Sequence, residues 1–270
     1  MFSSAYIKGH SHLKCDDYAN HSYKCGFLSD GCSSAKNSDI GAKLLSFYAL
    51  EKLKHFLFLH KGVYDFKEFV FYLNSSLQHY ANLNVDMFNE YTNLFEDMFS
   101  CTLGGIVKHD NNIYISLLGD GCIYYELTNG EKNIIIVSFE KNYPFYISYL
   151  STENLFNNWD SLENNDLKIE HYKFQNNEWK LIPKNIPLNT LYLTITYLVD
   201  EIEAVSIFSD GPEQCDGLST IEAIVELTSF KNFNQDFAWR RLKRFEDTRH
   251  KINLYNQDDI SIVSYKRDNE

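Results

Sequence analysis

Residues 22–57, SYKCGFLSDGCSSAKNSDIGAKLLSFYALEKLKHFL, hold an apolar run, an Asp-Gly pair and an amphipathic repeat, in that order. The run at 22–29 reads as a strand that ends at Asp30-Gly31. Ala42, Leu45, Ala49, Leu53 and Phe56 then recur at three- and four-residue steps, the pattern of one buried helical stripe. Downstream, amphipathic helices are expected over about 65–83 and 86–95. Four short strands follow: SCTLGGIVKH (100–109), NNIYISLLG (111–119), CIYYELTN (122–129) and NIIIVSF (133–139). Asp110-Asn111-Asn112 and Asn129-Gly130 supply turns between them. Strands resume at 190–198 and 204–208, helices at 220–230 and 233–247, and a last strand at 260–265. Helices come early and late around a block of antiparallel-looking strands. That order argues for a layered α+β fold rather than a βαβ sheet.

Residues 140–190 carry many Asn and aromatic residues and little periodicity. A hairpin over 168–174 and 178–182 is expected there, and the segment reads as a flap or insertion. No repeat or linker interrupts the chain, so residues 1–270 are expected to form a single domain.

The chain has 270 residues, 25 Lys plus Arg against 37 Asp plus Glu, and a formal charge of −12. That balance argues against nucleic-acid or anionic-membrane partners, which need a basic surface. No apolar run approaches the roughly 20 residues that span a bilayer, and the first residues show no leader pattern. Six cysteines lack metal-site spacing, and four sit in or beside apolar runs. Free thiols in a reducing cytoplasm are expected.

Asp16-Asp17, Asp30-Gly31, Asp210-Gly211 and Asp258-Asp259 stand at or near the ends of strand-like runs. An isolated Asp-Gly marks a turn more often than a ligand. Several carboxylates held at strand ends can converge, however, and converging like charges require a cation. All-oxygen ligation suits Mg²⁺ or Mn²⁺.

The ordered motifs GHSHLKCDDYA (9–19), FLSDGCSSAKNSDIGAKLL (27–45), SCTLGGIV with ISLLGDGCIYY, IFSDG (207–211) and NQDDISIVSY (256–265) resemble the metal-dependent type 2C protein serine/threonine phosphatases, in their divergent bacterial branch. The resemblance runs from Gly9 to Tyr265. It implies a four-layer α-β-β-α sandwich of two antiparallel sheets flanked by helix pairs. It also implies hydrolysis of phosphoserine and phosphothreonine by a hydroxide bridging two Mn²⁺ or Mg²⁺ ions. Asp30 would bridge the ions and the Gly31 carbonyl would ligate one, with Asp16, Asp210 and Asp258 completing the set. Asp17 would orient metal-bound water. Asp120, with Glu213 near by, would serve a third metal.

Three departures from the family pattern stand out, the first being Gln214, beside Glu213, where the third-metal aspartate usually lies. His12 occupies the position of an arginine that grips the substrate phosphate, so His12 and Lys14 become the phosphate-binding candidates. Cys32 stands where some members have a general-acid histidine, and is either a packing residue or an oxidation-sensitive thiol. His10 and His12 read as a pair on one face of a short strand. Thr102 is expected to buttress the sheet. Arg240, Lys243 and Arg244 share one face of a solvated helix. The implied partner is a phosphorylated protein, with a cognate serine/threonine kinase. The competing readings are a non-catalytic regulatory domain and a phosphohydrolase acting on small molecules.

Overall fold

The computed structural model describes residues 1–83, 94–151, 153–162, 167–183 and 191–268. Two antiparallel sheets stack face to face. The five-stranded sheet runs in the order β10 (Tyr192–Leu198), β5 (Asn112–Leu118), β4 (Leu103–His109), β3 (Cys25–Asp30) and β2 (Asp17–His21). The seven-stranded sheet runs β1 (Phe2–Ile7), β12 (Ile260–Lys266), β11 (Ile202–Phe208), β6 (Gly121–Leu127), β7 (Lys132–Phe139), β8 (Leu167–Gln175) and β9 (Glu178–Ile182). Leu28, Ile106, Ile115, Ile123, Ile207 and Val263 fill the space between them. These residues alternate with others that face outward to helices, so both faces of each sheet are apolar.

Helices α1 (Ser38–Leu59) and α2 (Phe66–Leu83) cover the five-stranded sheet. The stripe expected in α1 is buried in full, from Ala42 to Phe56. Phe27, Phe56 and Phe69 are wholly enclosed there, and burial of each side chain contributes roughly 2–3 kcal/mol. A short α3 (Leu94–Phe99) packs on α1. The helix expected over 86–95 lies mostly outside the described residues. On the opposite face, α5 (Thr220–Thr228) and α6 (Phe237–His250) cover the seven-stranded sheet through Ile224, Leu227, Leu242 and Phe245. A capping box at Ser219 and Glu222 starts α5. The molecule is therefore the expected four-layer α-β-β-α sandwich.

Segment 140–190 contributes to both layers. Its hairpin, β8–β9, turns on Asn176 and Asn177 at positive φ and lies at the edge of the seven-stranded sheet. Before it come a 3₁₀ turn at Ile147–Leu150 and α4 (Glu153–Asp160). Phe145, Tyr149 and Trp159 anchor this part in the core. Two strands were not expected from the sequence. In β1, Ser3 and Ala5 are buried because α6 lies on them, and the Ala238 amide donates to Ser3 Oγ at 3.1 Å. The other, β2, is only five residues long. Among the described residues, no helix is long and apolar enough to cross a membrane.

Candidate metal centre

The fold brings one end of five strands together. Asp30 ends β3, and Asp17 opens β2 directly opposite it in the register. Asp120 precedes β6, Asp210 follows β11, and Asp258-Asp259 precede β12. A cavity of about 230 Å³ opens here, lined by Asp30, Asp120, Asp210 and Asp258. His12, Gly31, Cys32, Ser33, Asn142, Pro144, Tyr146 and Gln214 complete its wall. Among the described residues, no Lys or Arg lines it.

Backbone contacts set these positions. Thr102 braces the end of β3: its amide donates to the Asp30 carbonyl (2.9 Å), its hydroxyl accepts from the Asp30 amide (3.2 Å), and its carbonyl accepts from Ser29 Oγ (2.8 Å). Gly31 and Gly211 are required by close approach, since neither has positive φ. A Cβ on Gly31 would lie 2.7 Å from the Ser38 carbonyl oxygen, and one on Gly211 only 1.8 Å from the Asp259 carbonyl oxygen.

The two N-terminal aspartates part company. Asp16 Oδ1 accepts from Ser38 Oγ at 3.2 Å and lies 3.2 Å from Lys14 Nζ. Asp17 is buried against Asp30 and Ser209. The expectation made Asp16 a metal ligand and gave Asp17 the orienting of metal-bound water, whereas it is Asp17 that the structure brings against Asp30. Successive residues at a strand end face opposite sides, so only one of the pair can meet Asp30.

The electrostatics follow from this convergence. Burial first, and then Asp17 and Asp210, push the Asp30 carboxyl well above its ordinary range. Burial, followed by Asp120 and Asp258, does the same to Asp210. Desolvation pushes Asp17 and Asp120 up to about 7. Asp17 Oδ2 and Asp120 Oδ1 are buried without a hydrogen-bond partner. Orphaned carboxylate oxygens among like charges, with His12 as the one basic side chain among the described lining residues and already held by Asp258 and Asp259, fit hard divalent cations.

His12 and His10 are not on a strand, and they do not act as a pair. Residues 9–16 form a loop, in which His10 stacks on Tyr255 (ring centroids 4.1 Å apart). The His12 ring lies between Asp258 Oδ1 (3.3 Å) and Asp259 Oδ2 (3.2 Å). Burial alone would lower the His12 pKa, but Asp259 and Asp258 outweigh it and the pKa rises. Lys14 is held by Asp39 at 2.6 Å and by Asp16. Neither candidate phosphate ligand is therefore a free cation.

His12, Asp16 and Asp259 bring one ligand atom each within 4.8 Å of one another. Both Asp259 oxygens, however, already accept backbone amides, from Gly9 (2.6 Å) and Asp16 (2.5 Å). This cluster braces the loop against β12. Gln214 donates to Asp258 Oδ2 at 2.5 Å. Glu213 is not on the cavity wall, and burial followed by Glu170 raises its pKa.

Asn142 and Tyr146 were not singled out in the sequence. Tyr146 sits between two anchors, fully buried Phe145 and Ile147, whose amide donates to the Cys101 carbonyl at 3.1 Å. It lines the cavity together with Cys32.

Comparison with known proteins agrees with this architecture. Residues 8–256 match the family model described as protein phosphatase 2C. A bacterial serine phosphatase superposes with a TM-score of 0.55 at 13% identity, over 100% of this chain and 98% of that one. Stp1 from Staphylococcus aureus gives 0.52 at 14% identity, over 100% and 96% of the two chains. The S. agalactiae serine/threonine phosphatase gives 0.51 at 11%, over 98% and 99%. At such identities the superpositions speak for the fold alone. No curated protein matches the chain significantly. The family match spans nearly the whole sequence and includes every aspartate of the cavity except Asp258, and on it the chain belongs to the protein phosphatase 2C family.

Proposed function

We propose that this chain is a metal-dependent protein serine/threonine phosphatase that hydrolyses phosphoserine and phosphothreonine monoesters. One observation carries the reading: five converging aspartates, Asp17, Asp30, Asp120, Asp210 and Asp258, at a cavity with no Lys or Arg among its described lining residues. Asp17, Asp30, the Gly31 carbonyl, Asp210 and Asp258 would hold two divalent ions, Mn²⁺ or Mg²⁺, with Asp120 available to a third. The position of Asp17 against Asp30 supports it, rather than Asp16, in this set. When bound, the ions supply an activated water and neutralise charge on the phosphoryl oxygens.

The chain's own residues do the rest. His12 and Gln214 fix the Asp258 carboxylate, and Asp259 ties the 9–16 loop to β12. Cys32, Ser33, Asn142 and Tyr146 present neutral donors to a phosphoryl group in the cavity. His12 thus acts by positioning Asp258, and Lys14 by securing Asp16. A serine/threonine kinase would supply the substrates, and six free cysteines suit work in a reducing cytoplasm.

Purified protein is assayed with p-nitrophenyl phosphate and a phosphothreonine peptide, in EDTA, Mg²⁺ or Mn²⁺, beside Asp30→Ala. Metal-dependent turnover that vanishes in the variant is expected. Absence of turnover from folded wild-type protein in every metal would transfer the reading to a regulatory domain. Turnover of the small ester alone would transfer it to a small-molecule phosphohydrolase.

A further inference from the structure

A second concave site lies on the opposite outer layer, between the 229–232 turn and α6. Its volume is about 230 Å³, and it shares no residue with the metal centre. Phe230 and Phe237 meet edge to face at 5.0 Å in its lining. Lys231, Arg240, Arg241 and Arg244 surround them, and among the described residues no Asp or Glu lines the cleft. In a chain with 37 acidic and 25 basic residues, four cations against one adjacent acid, Glu226, is a local reversal of sign.

Helical spacing explains the convergence. Arg240 and Arg244 are four residues apart, Arg241 and Arg244 three, so all three stand on adjoining turns above Phe237. Arg240 donates to Asn232 Oδ1 at 2.6 Å, which fixes its guanidinium at the rim. Arg241 donates Nε–H to the Glu226 carbonyl at 2.5 Å and lies 3.5 Å from the Glu226 carboxylate. Among the described residues, Arg244 and Lys231 have no ion pair. Arg244 is near enough to Arg241 to repel it. A bound anion would relieve this repulsion, and guanidinium groups suit phosphoryl oxygens in particular.

We propose that this cleft is a second anion site that binds a phosphoryl group, either as free phosphate or on a protein side chain. Its test does not depend on turnover. Inorganic phosphate is titrated calorimetrically into the 270-residue protein, in Mn²⁺ and again in EDTA, where the aspartate cavity repels anions. In EDTA, saturable binding near one equivalent is expected. Arg240→Ala/Arg244→Ala should weaken it by about tenfold or more. Both side chains are exposed, and a melting curve checks the fold of the variant. Lys243→Ala is the matched control, because Lys243 pairs with Glu246 (2.7 Å) and Asp247 (3.2 Å) and does not line the cleft.

Unsaturable uptake by wild type overturns the proposal. So does an unchanged affinity in the double variant, or an equal loss in Lys243→Ala, which would mean diffuse charge screening only. A phosphothreonine peptide and its unphosphorylated form distinguish the two sources of phosphate. Peptide binding much tighter than phosphate, and dependent on its phosphate, supports docking of phosphorylated protein. Equal affinities support a site for free phosphate. Failure of the phosphatase reading would appear as absent turnover, with this binding unaffected.

Discussion

The two cavities have the same volume and opposite chemistry. Among the described residues, one is lined by Asp30, Asp120, Asp210 and Asp258 with no Lys or Arg, and the other by Lys231, Arg240, Arg241 and Arg244 with no Asp or Glu. The formal charge of −12 describes neither. The acidic cavity sits at strand ends, where sheet register holds carboxylates in place against their repulsion. The basic cleft sits on a helix face, where side chains are longer and more exposed and repulsion is cheaper. An acidic cavity can accept a phosphate only through cations it recruits, whereas a basic cleft can accept one directly. That difference is the property to attack.

The largest effect is expected at Asp30. Asp30→Asn keeps the shape and removes the charge at the point of closest convergence. Steady-state assays in Mn²⁺ should show at least about a thousandfold loss of turnover. Activity near wild type would mean that the cavity does not work through recruited cations. Next comes the pair at the start of β2. Asp17→Asn should cost about a hundredfold in kcat/KM, and Asp16→Asn less than about tenfold, since Asp16 is bonded to Ser38 and Lys14. The reverse ranking would return the metal role to Asp16.

That ranking marks the limit of what the sequence discloses. Strand ends and the α1 stripe were legible because apolar runs and three- and four-residue steps are local signals. Asp30, Asp210 and Asp258 followed from their place beside such runs. The choice between Asp16 and Asp17 depends on the pairing of β2 with β3, which a five-residue strand without an apolar run does not announce. Strand β1 was hidden for a similar reason. Its buried Ser3 is polar in sequence and is satisfied only by the start of α6. Tyr146 reaches the cavity because Phe145 and Ile147 are anchored on either side of it, which is a tertiary fact. The basic run on α6 was visible, but a concave wall at 229–232 was not.

A third test compares stability with and without metal. In the metal-free protein Asp17 and Asp120 are pushed up to about 7, whereas an unfolded chain would hold them near ordinary carboxylate values. The folded state then binds more protons than the unfolded state between those limits. Stability must fall as pH rises through that window and level off above it. In EDTA the melting temperature should drop by several degrees between about pH 5.5 and pH 8. Mn²⁺ added at the higher pH should restore it, because the ions replace the protons as counter-charge. A melting temperature in EDTA that does not change with pH would show that the carboxylates do not confront one another.

The smallest effect concerns the neutral wall of the acidic cavity. With His12 held between two aspartates and Lys14 bound to two others, the phosphoryl oxygens that face away from the ions must meet uncharged donors. Tyr146 is the best placed of these, since it lines the cavity and its backbone is anchored on both sides. Tyr146→Phe removes one donor and keeps the ring. One neutral hydrogen bond contributes about 1 kcal/mol, so KM for p-nitrophenyl phosphate should rise about fivefold while kcat stays within about twofold. Inhibition by product phosphate should weaken by a similar factor, because phosphate would lose the same contact. A large fall in kcat with KM unchanged would mean that the hydroxyl acts on the transition state. No change in either constant would leave the acidic cavity dependent on recruited cations alone, and would make its contrast with the basic cleft complete.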